Sequence, residues 1–170
     1  MSHASRRTDS GEASTMTLPA APVRSILVAL DESARALLVF GTAVSLAKDL
    51  GARLSVVRVL SVPPEIPAAA HSHPDHLEDL LGSHTRATLH TLMAEAPEVG
   101  FGPPIVVAGD PWRCILDVAN ELEVDLIVVG SHRYHGLDRV LGTVAAKVVN
   151  HAERNVLVVH EKRVGSGAVA

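Results

Sequence analysis

Short continuous apolar runs alternate along the chain with longer stretches in which apolar residues return every three or four positions. The runs are Ser25–Leu30, Arg53–Leu60, Ile105–Ala108, Leu126–Val129 and Val156–Val159. Unbroken apolarity over four to eight residues marks a strand covered on both faces, as in a parallel sheet. The longer stretches predict helices. The first runs from about Ala34 to Leu50, with Leu37, Val44, Ala47 and Leu50 on its apolar side. The second, Asp75 to about Ala96, carries Leu77, Leu80, Leu81, Leu89 and Leu92. A third follows Asp110 with Trp112, Ile115, Leu116, Ala119 and Leu122 as its stripe. The fourth is read from Leu137, Val140, Leu141, Val144, Ala145, Val148 and Val149. Five strands alternating with four helices give βαβ units and an open α/β sheet with parallel strands.

Local chemistry punctuates this pattern. Gly51 stands where a helix C-terminal glycine belongs, and Asp110-Pro111 pairs an N-cap residue with proline at the first helical position. Asp31-Glu32-Ser33 ends the first strand with turn and cap formers, and Asp31 is read as a helix N-cap or a ligand-facing residue. Gly82 and Ser83 are expected to bend or loosen the second helix, and Pro97 stops it. Residues 1–22, rich in Ser, Thr, Ala and Gly, read as a disordered tail. Residues 23–160 form one domain, and 161–170 a short C-terminal tail.

Composition narrows the function classes. Of 170 residues, 47% are hydrophobic but only 2% aromatic, so the core is built from Ala, Val, Leu and Ile. A net charge of −4 gives no electrostatic reason to expect nucleic-acid binding. No apolar run approaches membrane-spanning length, and polar residues follow Arg6-Arg7, so a cytoplasmic, membrane-free protein is expected. Cys114 is the single cysteine and is expected to be a small buried hydrophobe. His71, His73 and His76 lie close enough in sequence to gather round a transition metal, or simply in a solvated loop.

The densest chemistry lies between the fourth and fifth strands. Gly130 ends a strand, a polar loop carries Ser131, His132, Arg133, Tyr134, His135 and Gly136, and Gly142-Thr143 opens a helix. Free backbone N–H groups at a helix start, with no Cβ in the way, suit a phosphate, and a threonine hydroxyl adds a donor. A glycine-rich connection with nothing bound is the other reading. No G-x-x-x-x-G-K-[ST], G-x-S-x-G, H-E-x-x-H or G-x-G-x-x-G pattern occurs, so no dedicated enzyme class is indicated.

Residues 23–159 resemble the universal stress protein family. The likeness rests on D-x-S after the first strand, on the helix and NVLVV strand at the C-terminal end, and on the motif G-x2-G-x9-G-[S/T]. Here that motif reads Gly130, Arg133 in the second glycine's place, then eight residues before Gly142-Thr143. The resemblance implies a five-stranded parallel sheet of order 3-2-1-4-5 with helices on both faces, of the adenine nucleotide alpha hydrolase type. It implies a small stress-response module that binds adenine nucleotide, ATP with or without Mg, through Asp31, Val59, Gly130, Arg133, Gly142, Thr143 and Val144. It also implies a homodimer through the last strand, which such a sheet leaves at an edge. Two alternatives stand beside this: a nucleotide-free dimeric interaction module of the same fold, and a weak ATP hydrolase with magnesium at Asp31 and Glu32.

Overall fold

The structure, a computed structural model, describes residues 21–61, 74–131 and 142–161, with residues 74–81 described as backbone. Nine elements follow one another: β1 (Ser25–Ala29), α1 (Ala36–Leu50), β2 (Arg53–Leu60), α2 (Pro74–Ala94), β3 (Ile105–Ala108), α3 (Pro111–Glu121), β4 (Leu126–Gly130), α4 (Thr143–His151) and β5 (Asn155–Val159). The strands form one parallel sheet in the order β3-β2-β1-β4-β5. At the centre, Ile26 of β1 is flanked by Leu54 of β2 and Leu126 of β4. The continuous apolar runs have this cause: alternate residues of each strand feed two separate cores.

One core contains Ile26, Val28, Leu54, Val56 and Val128 under α1 and α2. The other contains Leu27, Val57, Ile127 and Val129 under α3 and α4. Leu27 and Ile127 are wholly buried. Each such side chain contributes about 1.5–3 kcal/mol by leaving water. On the second face, Trp112 of α3 meets His151 of α4 with ring centroids 4.7 Å apart. Arg113 and Lys147 lie over the same indole at 5.3 and 5.5 Å, and the contact fixes α4 against α3.

Helix ends follow the sequence in part. Gly51 closes α1 in the left-handed conformation, φ 63°, and its N–H reaches the carbonyls of Ala47 and Lys48. Asp110 and Pro111 open α3 as expected, although the Asp110 side chain makes no capping bond. Asp31 does not cap α1. The chain turns for four more residues, and Arg35 holds the N-cap position. α2 runs unbroken through Gly82 and Ser83.

Some apolar faces are corrected. α1 buries Ala36, Val39, Phe40, Ala43 and Ala47, whereas Leu37 is 67% and Leu50 47% exposed. α1 carries more apolar residues than its contact stripe holds, so spacing alone admits a second, outward stripe. On α3, Leu122 is exposed, and Cys114 is half-buried rather than buried because it lies beside the Ile115, Val118 and Ala119 stripe. On α4, Ala145 and Val148 are buried while Val144 and Val149 are exposed.

At the amino-terminal edge of the sheet, Asp125 ties β4 to β1. Its Oδ2 accepts from the Arg24 and Ser25 amides at 2.8 and 2.9 Å and from Ser25 Oγ at 2.9 Å. These bonds, led by the Arg24 amide, hold its carboxyl below the usual carboxylate range. The expected N-terminal tail to residue 20, the His71 and His73 cluster with the His76 side chain, the Leu77, Leu80 and Leu81 side chains, the expected loop residues 132–136 with Arg133, the expected helix positions Leu137, Val140 and Leu141, and the tail beyond residue 161 lie outside the described residues.

Candidate functional site

In an open α/β sheet, ligands bind beyond the carboxyl ends of the strands where the chain order reverses. Here β1, β2 and β3 extend one way from the centre, then the chain crosses back to place β4 beside β1. A cavity of about 330 Å³ opens there. Its floor is Ala29 and Leu30 of the β1 end, Val59 of β2, and Val129, Gly130 and Ser131 of the β4 end. Asp31, Ser33, Arg35 and Val39 line the α1 side, and Gly142, Thr143, Val144 and Ala145 the α4 side. Pro111 and Ile115 of α3 also line it. Six of the seven residues picked out in the sequence therefore converge from four elements; the seventh, Arg133, is outside the described residues.

Each wall has a local reason. At Gly130 a Cβ would meet Cγ2 of Val39 at 2.9 Å, so glycine is what lets α1 approach the end of β4. Gly142 sits at the N-cap of α4, buried, with its carbonyl accepting from the Ala146 amide at 2.8 Å. The amides of Thr143, Val144 and Ala145 precede that first intrahelical bond and stand at the positive end of the helix dipole. Thr143 itself is exposed at the rim.

On the opposite side, Asp31 Oδ1 accepts from the Ser33 amide at 3.0 Å and from Ser33 Oγ at 2.6 Å. This side chain-to-backbone turn holds the carboxylate at the mouth. The Asp31 carbonyl is itself held by Arg58 Nη2 at 3.0 Å. Glu32, weighed with Asp31 as a magnesium ligand, is exposed and does not line the cavity. Among the described residues, no group of three or more His, Cys, Asp or Glu side chains is arranged to hold a metal ion.

Two lining residues escaped sequence reasoning. Ser131 is 4% exposed, and its Oγ makes no hydrogen bond among the described residues. A buried hydroxyl without a partner is costly unless a ligand supplies one. The Ser131 backbone is fully engaged: its amide donates to Val159 O at 2.9 Å and its carbonyl accepts from Arg35 Nη1 at 3.1 Å. Arg35 is the second. Its one signal in the sequence was a cation at a helix start, against the dipole.

Comparison with known proteins agrees with the fold. The model of the Universal stress protein family matches residues 22–160. Universal stress protein A homolog 1 of Coxiella burnetii is 33% identical over 141 residues, covering 82% of this chain and 97% of that protein. The solved structure of UspA from Lactobacillus plantarum superposes with a TM-score of 0.69 at 28% identity, covering 82% of this chain and 99% of that one. A universal stress protein from Archaeoglobus fulgidus, solved in complex with dAMP, shares the fold at a TM-score of 0.56 and 23% identity, over 81% and 98% of the two chains. With a family match across the whole described body and a close-length relative one-third identical, the chain belongs to the universal stress protein family.

Proposed function

We propose that this chain is a stress-response module that binds an adenine nucleotide, ATP in the first instance, in the cavity between β1 and β4. The observation that carries the reading is the pairing, across one cavity, of two sets of donors that find no acceptor among the described residues. Ser131 Oγ is buried on the β4 side with no partner among the described residues, and the residues opening α4 line the facing wall. A phosphoryl group answers both, because its oxygens accept from a hydroxyl and from helix-start amides together. The apolar floor of Ala29, Val59, Val129 and Ile115 suits the base and sugar. Asp31 offers an acceptor at the mouth, for a ribose hydroxyl or for magnesium beside the phosphates. The relative solved with dAMP adds support from the same fold. Gly130, Gly142, Thr143 and Val144 complete the site, with Arg133 expected to close it from the connecting loop.

The test is calorimetric titration of Mg-ATP into wild type, Ser131→Ala and Gly142→Trp. Saturable binding is expected in wild type. Ser131→Ala should weaken it about three- to tenfold, the worth of one hydrogen bond, with little loss of stability, because the hydroxyl makes no bond among the described residues. Gly142→Trp should abolish it by filling the cavity. Binding that survives Gly142→Trp would place the nucleotide elsewhere, and the absence of heat in wild type would favour a nucleotide-free interaction module.

A further inference from the structure

Arg35 is placed against its local electrostatics. It occupies the N-cap of α1, where the helix dipole favours an anion over a cation. Yet its side chain is only 27% exposed and lines the cavity. Nη1 is committed to Ser131 O at 3.1 Å, and Nε donates to Glu161 Oε2 at 3.2 Å. Among the described residues nothing accepts from Nη2. Glu161 is 64% exposed and stands two residues beyond Val159, whose carbonyl receives the Ser131 amide. A shallow cleft bounded by Ser33, Leu38 and Glu161 leads to the same guanidinium from outside.

The edge formed by Nε and Nη2 is the fork with which arginine grips a carboxylate or phosphate through two parallel bonds. Glu161 uses half of that fork, from solvent. The other edge, through Nη1, stays anchored on Ser131, the cavity-lining residue whose own buried hydroxyl has no partner among the described residues. A phosphoryl group arriving at Ser131 Oγ would therefore meet a cation already hydrogen-bonded to the same residue, with an exposed ion pair in competition.

We propose that Arg35 reads the anionic part of the ligand, and that Glu161 is a built-in competitor which a phosphoryl group displaces. The proposal rests on the cavity being the ligand site, and adds to it the group that separates phosphorylated ligands from neutral nucleosides. It also gives ligand binding a consequence: occupation of Arg35 releases Glu161, beyond the end of β5, from its ion pair in the outer cleft.

Inorganic pyrophosphate, adenosine and Mg-ATP titrated separately into the full chain test both layers. In Glu161→Gln, pyrophosphate and ATP should bind about two- to fivefold tighter, the span of an exposed ion pair. In Arg35→Met both should bind at least about tenfold weaker, as loss of charged hydrogen bonds requires, with adenosine unchanged in either variant. Glu161 is exposed, so Glu161→Gln tests the competition even where Arg35→Met is destabilised. Equal pyrophosphate affinity in all three proteins, no pyrophosphate binding in any, or a Glu161→Gln variant weaker than wild type would overturn the inference. Pyrophosphate following the expected order while adenosine and ATP fail to bind would uphold the Arg35–Glu161 competition and defeat the adenine-nucleotide reading instead.

Discussion

The substitution Gly130→Ala puts one methyl group where the packing of α1 on β4 leaves no room for it. Gly130 does not adopt a left-handed backbone, so its φ gives no reason for glycine there. The reason is contact: an added Cβ would lie 2.9 Å from Val39 Cγ2. Val39 is 4% exposed on α1, and a β-branched side chain in a helix has essentially one χ1 rotamer, so it cannot swing aside. Helix α1 must move, or the end of β4 must. Overpacking of this kind costs about 1–3 kcal/mol. For a domain of this size that corresponds to a fall of roughly 3–10 °C in melting temperature. Removing the obstacle should relieve it. Val39→Ala alone deletes two methyl groups and costs about 2 kcal/mol in burial and cavity. The double variant should then be less destabilised than the sum of the singles by about 1 kcal/mol, the coupling expected of residues in contact. Urea unfolding of wild type, both singles and the double measures all four corners. A Gly130→Ala protein as stable as wild type, or strict additivity with Val39→Ala, would refute the steric explanation.

Asp125 should shape the acid limb of stability. Its folded pKa is lowered, so its contribution is present above the ordinary carboxylate range and is lost as the pH falls from about 4 towards the folded value. Asp125→Asn should therefore be less stable at neutral pH and show a shallower acid limb in pH-dependent unfolding; an unchanged profile would count against the Arg24 and Ser25 bonds. Cys114 should react several-fold more slowly with a disulfide reagent at pH 7.5 than a small free thiol does. Burial, followed by the charges of Asp117 and Asp110, pushes its pKa up, so a fast reaction would contradict the half-buried placement. Homodimerisation through β5 is expected to need the outward amide of Val158. Val159 O turns inward to Ser131, so the alternate residue's backbone faces the free edge. Val158→Pro should give a monomer by sedimentation where wild type gives a dimer, and a monomeric wild type at micromolar concentration would end the proposal.

The strands were legible because parallel β-strands buried on both faces leave unbroken apolar runs. β3 begins and ends where the sequence places it, and β5 opens only one residue earlier. Gly51 and Asp110-Pro111 were legible because their chemistry is local. Helix faces were less so. Leu37, Leu50 and Leu122 fit a helical period yet point to solvent, since period does not say which of two apolar stripes meets the sheet. The convergence of Asp31, Val59, Gly130 and Gly142 was readable from strand ends and family motif, because the topology brings strand ends together. Ser131 and Arg35 were not readable. The importance of Ser131 lies in a buried hydroxyl that finds no partner among the described residues, and that of Arg35 in partners 96 and 126 residues away in sequence.

Backbone amide chemical shifts during titration with Mg-ATP test the site most directly, because the sheet supplies its own control. The predicted result is saturable movement of the Gly130, Ser131, Thr143, Val144 and Ala145 amides, which line the cavity. The Arg24 and Ser25 amides, bound to Asp125 at the far edge of the sheet, should stay still. Shifts confined to the Asp125 edge or to β3, or none at millimolar nucleotide, would contradict the account.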